Sequence, residues 1–317
     1  MNQDSSPKPD RLITRRPSRR TKRQRKARVL ALAGVGLAVA AVVLIISYVN
    51  QTNQTRAEQE ALRALYHSAA PSGTPEVLAA ALTNPPAPAS EAPAPSPSRA
   101  PNPDYRPAMA ERFLPLMRKN RDVVGWLTYA GITEMDFPIV QRDNVYYLNR
   151  DFSGRENMAG SIFLDGANHI WPQDDNLILH GHNMKNGTMF GKLARMLEPE
   201  IARYFPFMQF ATLYEESLYV PYAVTVFSND PKDSRYFEVF AANFASEGEK
   251  ETYVATLRQR SSLVFPTDMQ PTDQLLTLVT CHGPIDTERL AVALRALRPG
   301  EDQEALKQAF MTQVVKR

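Results

Sequence analysis

Internal disulfides are excluded by a scarcity: the 317 residues include one cysteine, Cys281. The same shortage removes thiolate-rich zinc sites. Five histidines and one thiol offer no Cys-x-x-Cys or His-x-x-x-His spacing, and only His180-x-His182 sets two imidazoles close together. No metal is read, nor any organic cofactor, and no acidic cluster has the pattern of a calcium loop. The folded part also lacks positive charge. Residues 1–28 carry eleven Lys/Arg against two Asp, a net of +9 in a chain whose total is +3, so residues 29–317 sum to −6. The basic character belongs to a tail, which excludes a nucleic-acid partner as the reading of that charge.

Charge is absent altogether from Val29 to Val49, 21 consecutive residues. As an α-helix rising about 1.5 Å per residue, this run spans roughly 30 Å, the hydrocarbon thickness of a bilayer. Lys and Arg crowd only its N-terminal side, which predicts a single transmembrane helix over 29–49, a cytoplasmic tail over 1–28 and an extracellular remainder. A cleaved signal peptide fits less well, because the run exceeds a usual signal core and the polar stretch Asn50 to Thr55 follows it. Residues 50–107 read as an extracellular linker in which 56–66 form a short polar helix. Eleven of the 25 prolines fall between Pro71 and Pro107, a composition that buries no core and favours extended polyproline II. The linker carries no chemistry, so residues 108–317 are expected to suffice for activity.

Beyond residue 108 the pattern turns to short runs rich in Val, Ile, Tyr and Phe, broken by Gly, Asn, Asp and Pro. Strands are predicted at 123–129, 137–140, 161–164, 176–179, 218–227, 236–241, 274–280 and 289–297. Eight strands in a region ending near residue 300 argue for a mainly β fold, a closed barrel or a sandwich. Helices are predicted at 110–120 (interrupted at Pro115), at 191–197 and at 246–263. Residues 301–317 form a C-terminal helical tail with no assigned role.

An unpaired thiol in an oxidising compartment is a liability unless it is buried or used. From the residues alone Cys281 is either a small buried apolar group or a nucleophile. Its surroundings bear on that choice. It closes the apolar run Leu276-Thr277-Leu278-Val279-Thr280-Cys281, Arg289 follows eight positions later, and His180-Gly181-His182-Asn183-Met184 lies about a hundred residues upstream. A thiol, an imidazole and a guanidinium are the parts of acyl transfer through a thioester. Four further blocks precede them in order: Asp122-Val123-Val124-Gly125-Trp126, Phe137-Pro138-Ile139-Val140, Asp143-Asn144-Val145-Tyr146-Tyr147-Leu148 and Gly160-Ser161-Ile162-Phe163-Leu164-Asp165. Taken together the six blocks resemble the class B sortases over nearly all of residues 108–300.

The resemblance implies an eight-stranded sortase β-barrel, with the 246–263 helix in the connection before the cysteine strand. It also implies a cysteine transpeptidase of Gram-positive cell surfaces. Cys281 aligns with the nucleophile, His182 with the catalytic histidine and Arg289 with the oxyanion partner. His180 is read as a neighbour that tunes His182. Asn144 and Leu148 fall in the block that lines the peptide groove in similar enzymes, and Thr280 is a candidate for shaping the oxyanion site. Trp126 and Phe163 read as core, and His67 and His169 as solvated. The implied partners are exported proteins with a C-terminal sorting motif and an amine acceptor, either a cell-wall precursor or a pilin lysine. A hydrolytic cysteine peptidase and a non-catalytic surface adaptor are the alternatives.

Overall fold

The computed structural model describes residues 19–69, 108–283 and 287–317, with side chains described from residue 28 and at Lys26. The basic tail before Arg19, the Pro-rich segment and residues 284–286 lie outside the described residues. Two compact units are separated, Met1–Gln51 and Thr52–Arg317. The first contains the apolar run, which lies in helix α1 (Arg19–Ser68) with its side chains exposed. This is the one described helix long and apolar enough to cross a membrane.

The second unit is a closed barrel of eight strands: β1 (Val123–Thr128), β2 (Asp136–Val140), β3 (Phe163–Leu164), β4 (Asn176–His180), β5 (Met208–Thr212), β6 (Glu216–Ser228), β8 (Leu275–Cys281) and β9 (Glu288–Ala296). Around the barrel the order is β1-β2-β3-β4-β8-β9-β6-β5. The pair β4–β8 is parallel, with His180 opposite Val279, and β8–β9 is antiparallel, with Cys281 opposite Arg289.

Period-two alternation explains why these strands are apolar almost throughout. Leu177 and Leu179 of β4, Leu276 and Leu278 of β8, and Leu290, Val292 and Leu294 of β9 fill the barrel interior. The intervening residues face outward and are covered as well. Ile178, Val279 and Ala291 pack with Phe227 and Val239, and Leu275 and Ala293 meet Tyr253, Val254 and Leu257 of α4 (Glu247–Arg260). Strands buried on both faces read as near-continuous hydrophobic runs. Ser246 caps α4, its Oγ accepting from Glu249 N (3.2 Å).

A second outer patch is covered by the second half of α1. Leu62 and Tyr66, four apart and hence on one helical face, are buried with Trp126, Phe113 and Leu116. The Tyr66 ring stacks on Trp126 at 4.1 Å and 5°. Arg63 donates from Nε to Asp136 O (2.9 Å) and from Nη2 to Glu134 O (2.8 Å). The polar linker helix expected at 56–66 is thus a packed element of the barrel domain. Its polar residues meet backbone carbonyls and buried side chains, which composition alone does not reveal.

Other differences concern single elements. The expected strand at 236–241 is not one. Its backbone is claimed by side chains instead, with Tyr253 Oη donating to Val239 O (2.8 Å) and Asn176 Nδ2 to Ala241 O (2.9 Å). The eighth strand is β5, whose Met208-Gln209-Phe210-Ala211 lacks β-branched residues and is strand because β1 and β6 flank it. Pro115 does not interrupt a helix; it sits in the first turn of α2 (Leu114–Lys119), where its missing N–H costs nothing. Between β4 and β5, α3 (Pro199–Tyr204) follows a 3₁₀ turn at Leu193–Leu197. The C-terminal residues form α5 (Gln303–Gln313), whose Phe310 joins the main core together with Val314. The last strand, β10 (Val315–Lys316), pairs with β7 (Leu263–Val264).

If α1 from Thr52 onward belongs to the domain, Leu62→Ala should cost about 2–5 kcal/mol. Thermal unfolding followed at Trp126 should then shift to lower temperature in a single transition. An unmoved barrel transition would show the helix to be an independent appendage.

Candidate active site

Three strand ends create the site. In the alternation set by the core, Thr280 faces inward, while Cys281 and Arg289 share the outer face with Val279 and Ala291. Directly opposed residues of antiparallel strands hold their Cβ atoms about 4.5–5.5 Å apart. Cys281 is exposed, because the outer cover of Val239 and α4 stops below it. Beyond Cys281 the ladder continues through His282 N to Glu288 O (3.0 Å).

His182 reaches the same place through β4. The parallel pairing runs on past His180, with Gly181 N donating to Val279 O (3.3 Å), Thr280 Oγ1 to Gly181 O (2.7 Å) and Asn183 Nδ2 to Cys281 O (2.9 Å). His182, between Gly181 and Asn183, is thereby held beside Cys281. Gly181 is needed for this approach: a Cβ there would lie 2.3 Å from Ile162 Cδ1 and 2.8 Å from Phe190 Cδ2. His182 Nε2 donates to Leu148 O at 2.6 Å. A carbonyl can only accept, so Nε2 carries the proton of this hydrogen bond.

The Arg289 guanidinium is oriented from behind. Its Nη1 donates to Glu288 O (2.9 Å). With the Asn229 amide turned so that Nδ2 donates to Thr287 O (2.9 Å), Asn229 Oδ1 accepts from Arg289 Nη2 (3.1 Å). Glu288 does not neutralise Arg289; its carboxylate pairs with Arg235 at 2.5 Å. Asn229 carried no motif and was legible only once β6 lay beside β9.

The remaining candidates divide. Thr280 is buried and its hydroxyl is committed to Gly181 O, a bond that ties β8 to the histidine segment. Leu148 is exposed and its carbonyl holds His182. Asn144 faces Asp165, donating from Nδ2 to Asp165 Oδ2 (3.0 Å) and accepting from Gly166 N (2.7 Å). Trp126 and Phe163 are core. His169 is exposed, whereas His67 is not merely solvated: its Nε2 lies 3.1 Å from Asp136 Oδ2 and its ring meets Trp126 edge-on.

His180 occupies a built environment. Its ring lies nearly parallel to Phe163 (5.0 Å, 19°) and Phe240 (5.5 Å, 22°), and Nε2 donates to Asp165 Oδ2 at 2.8 Å. Burial pushes the Asp165 carboxyl up, but the bonds from His180, the Ala167 amide and Asn144 outweigh it and hold the carboxyl below its ordinary value. A depressed carboxyl contributes stability that is fully present above its unfolded-state value and is lost as pH falls through the folded one. Acid titration followed by near-UV circular dichroism should therefore leave this stability intact until pH falls below the ordinary carboxylate range. Asp165→Asn should lower stability throughout the neutral range and flatten that acid limb.

Comparison with known proteins bears on the family and the fold. The sortase domain family model matches residues 131–296. Sortase B of Listeria monocytogenes is 34% identical over 178 residues, covering 55% of this chain and 68% of the relative. Sortase B of Staphylococcus aureus is 26% identical over 190 residues, covering 59% and 75%. Among solved structures, sortase B from Bacillus anthracis in complex with AAEK1 superposes with a TM-score of 0.53 at 32% identity, over 60% of this chain and 86% of that one. A Staphylococcus aureus sortase B–substrate complex superposes at 0.60 over 79% and 99%, and at 20% identity that likeness speaks for the fold alone.

Proposed function

The chain belongs to the sortase family, class B, whose members are cysteine transpeptidases, and from that premise we propose that Cys281, His182 and Arg289 are its acyl-transfer site. The observation that carries the proposal is the convergence of three strand ends: Cys281 opposite Arg289 on one face, and His182 pinned beside Cys281 by its bonded neighbours.

The Cys281 thiolate attacks the carbonyl carbon of a peptide bond in a C-terminal sorting motif of another exported protein. As the tetrahedral oxyanion forms, the Arg289 fork donates to it; its five N–H donors and permanent charge suit that task. Collapse breaks the C–N bond, and the protonated His182 ring hands its proton to the departing amine, leaving a thioester on Cys281. An incoming amine then loses a proton to His182 and attacks the thioester, forming the new amide and releasing the Cys281 thiolate. The acceptor is the amine of a cell-wall precursor or of a pilin lysine. Residues 29–49 anchor the enzyme as a single membrane span, with residues 1–28 cytoplasmic and the barrel outside, consistent with the crowding of lysine and arginine on the N-terminal side of the run.

The alternative of pure hydrolysis differs only in whether water or amine resolves the thioester. Incubating the full chain with a sorting-type peptide library and an added amine should yield amide-joined product, which Cys281→Ala should abolish without unfolding the protein. Cleaved peptide with no joined product would favour the hydrolase. His182→Ala should be similarly inactive, while His180→Ala should retain substantial activity.

Geometry at Arg289 separates two roles for its charge. Loss of an oxyanion donor costs about 10²–10³ in kcat, and a lysine keeps charge but not the fork. Arg289→Lys should thus fail nearly as badly as Arg289→Ala in steady-state kinetics. A Lys variant near wild type would show that charge alone is used.

A further inference from the structure

We infer that the α1 segment from Thr52 onward is a positioning element for the catalytic loop, gripping the turn after His182 and, through it, the Cys281 backbone. The inference rests on the acyl-transfer reading above. The loop leaving His182 folds back on itself. Asn183 and Met189 form an antiparallel bridge and Phe190 N donates to His182 O (3.0 Å). At its tip Gly187 N donates to Met184 O (2.9 Å), with Gly187 at φ +79°. Met189 is the one described non-glycine residue with positive φ, at +51°. Such a backbone persists only where its surroundings hold it.

The holding groups come from two places. Asn186 organises the turn from within, its Oδ1 accepting from Thr188 N (3.1 Å) and Thr188 Oγ1 (2.7 Å). The rest is supplied by α1. Asn186 Nδ2 donates to Thr52 Oγ1 (3.0 Å), Arg56 Nη2 donates to Asn186 O (3.3 Å) and Gln59 Nε2 donates to Met189 Sδ (3.9 Å). Thr52, Arg56 and Gln59 recur at three- and four-residue spacing and so share one face of the helix. The far side of the same loop touches the chemistry, because Asn183, bridged to Met189, donates to Cys281 O (2.9 Å). A continuous set of contacts therefore runs from α1 through Asn186 and Met189 to His182 and Cys281. The contacts described for Thr52, Arg56 and Gln59 reach Asn186 and Met189, so these residues act through the loop.

The test uses the full chain carrying Thr52→Val with Arg56→Met, which removes both contacts to Asn186 and leaves Leu62 and Tyr66 docked. Because small displacements of reacting groups cost large factors in rate, kcat for peptide joining should fall about tenfold or more, with KM and thermal midpoint nearly unchanged. Thr52→Ser with Arg56→Lys should restore most of the rate. The pH profile of Cys281 alkylation by iodoacetamide should also shift in the Val/Met variant, a readout that does not require turnover. An unchanged kcat and alkylation profile in a well-folded variant would overturn the inference. So would a loss of kcat that tracks a drop in thermal midpoint and is reversed by cooling, since that is stability alone. A wild-type chain that joins no peptide would defeat the acyl-transfer reading instead, and the alkylation profile would still decide the role of the helix.

Discussion

The register of three neighbouring strands, β4, β8 and β9, is the constraint on which the site depends. Each is buried on both faces, inward by Leu179, Leu278 and Val292 and outward by Ile178, Val279 and Ala291. A slip of one residue would exchange the two faces along the whole strand. In β9 the large inward Leu290, Val292 and Leu294 against the small outward Ala291 and Ala293 make that exchange costly, since cores resist changes of volume. With the register fixed, Cys281 must oppose Arg289, and the continuation of β4 must run beside the end of β8. The geometry of the candidate triad is thus inherited from apolar packing several residues away.

Residues at and beyond the strand ends refine what the register provides. Gly181 lets the histidine segment lie against Ile162 and Phe190, and Thr280 ties that segment to β8 from inside. Leu148 O holds the His182 ring, while His180 is locked between two aromatic rings and a buried carboxylate. The two histidines, two apart in sequence, therefore face different demands: one sits beside an exposed thiol, the other is stacked between rings and hydrogen-bonded to a carboxylate. Elements that flank the barrel in sequence complete the domain, Leu62 and Tyr66 of the segment from Thr52 over the outer patch around Trp126 and α5 with Phe310 in the main core.

Much of this was legible in the residues themselves. Runs of Leu and Val at 275–279 and 290–294 marked strands, and the resemblance carried by the six ordered blocks implied the family and the barrel. Segments whose state depends on neighbours were not legible. Tyr236 to Ala241 has strand-like composition, yet Asn176 and Tyr253 satisfy its carbonyls from the side. Met208 to Thr212 has weak strand composition, yet two flanking strands impose pairing on it. Leu62 and Tyr66 did carry a signal, a pair of apolar residues on one helical face, diluted by the charged residues around them.

Sequence alone determined the chemistry available: one thiol with no internal disulfide partner, an imidazole motif, a guanidinium eight residues beyond the thiol, and one uncharged run long enough for a bilayer. Tertiary structure alone decided the partners of those groups. Asn229 meets Arg289 because β6 lies beside β9, Asn183 meets Cys281 because β4 runs parallel to β8, and Asn186 meets Thr52 because the α1 segment from Thr52 onward packs on the barrel. Local preferences reach only a few residues along the chain, whereas these contacts join residues 60 to 134 positions apart. Burial of a shared core, not any local pattern, brings such residues together.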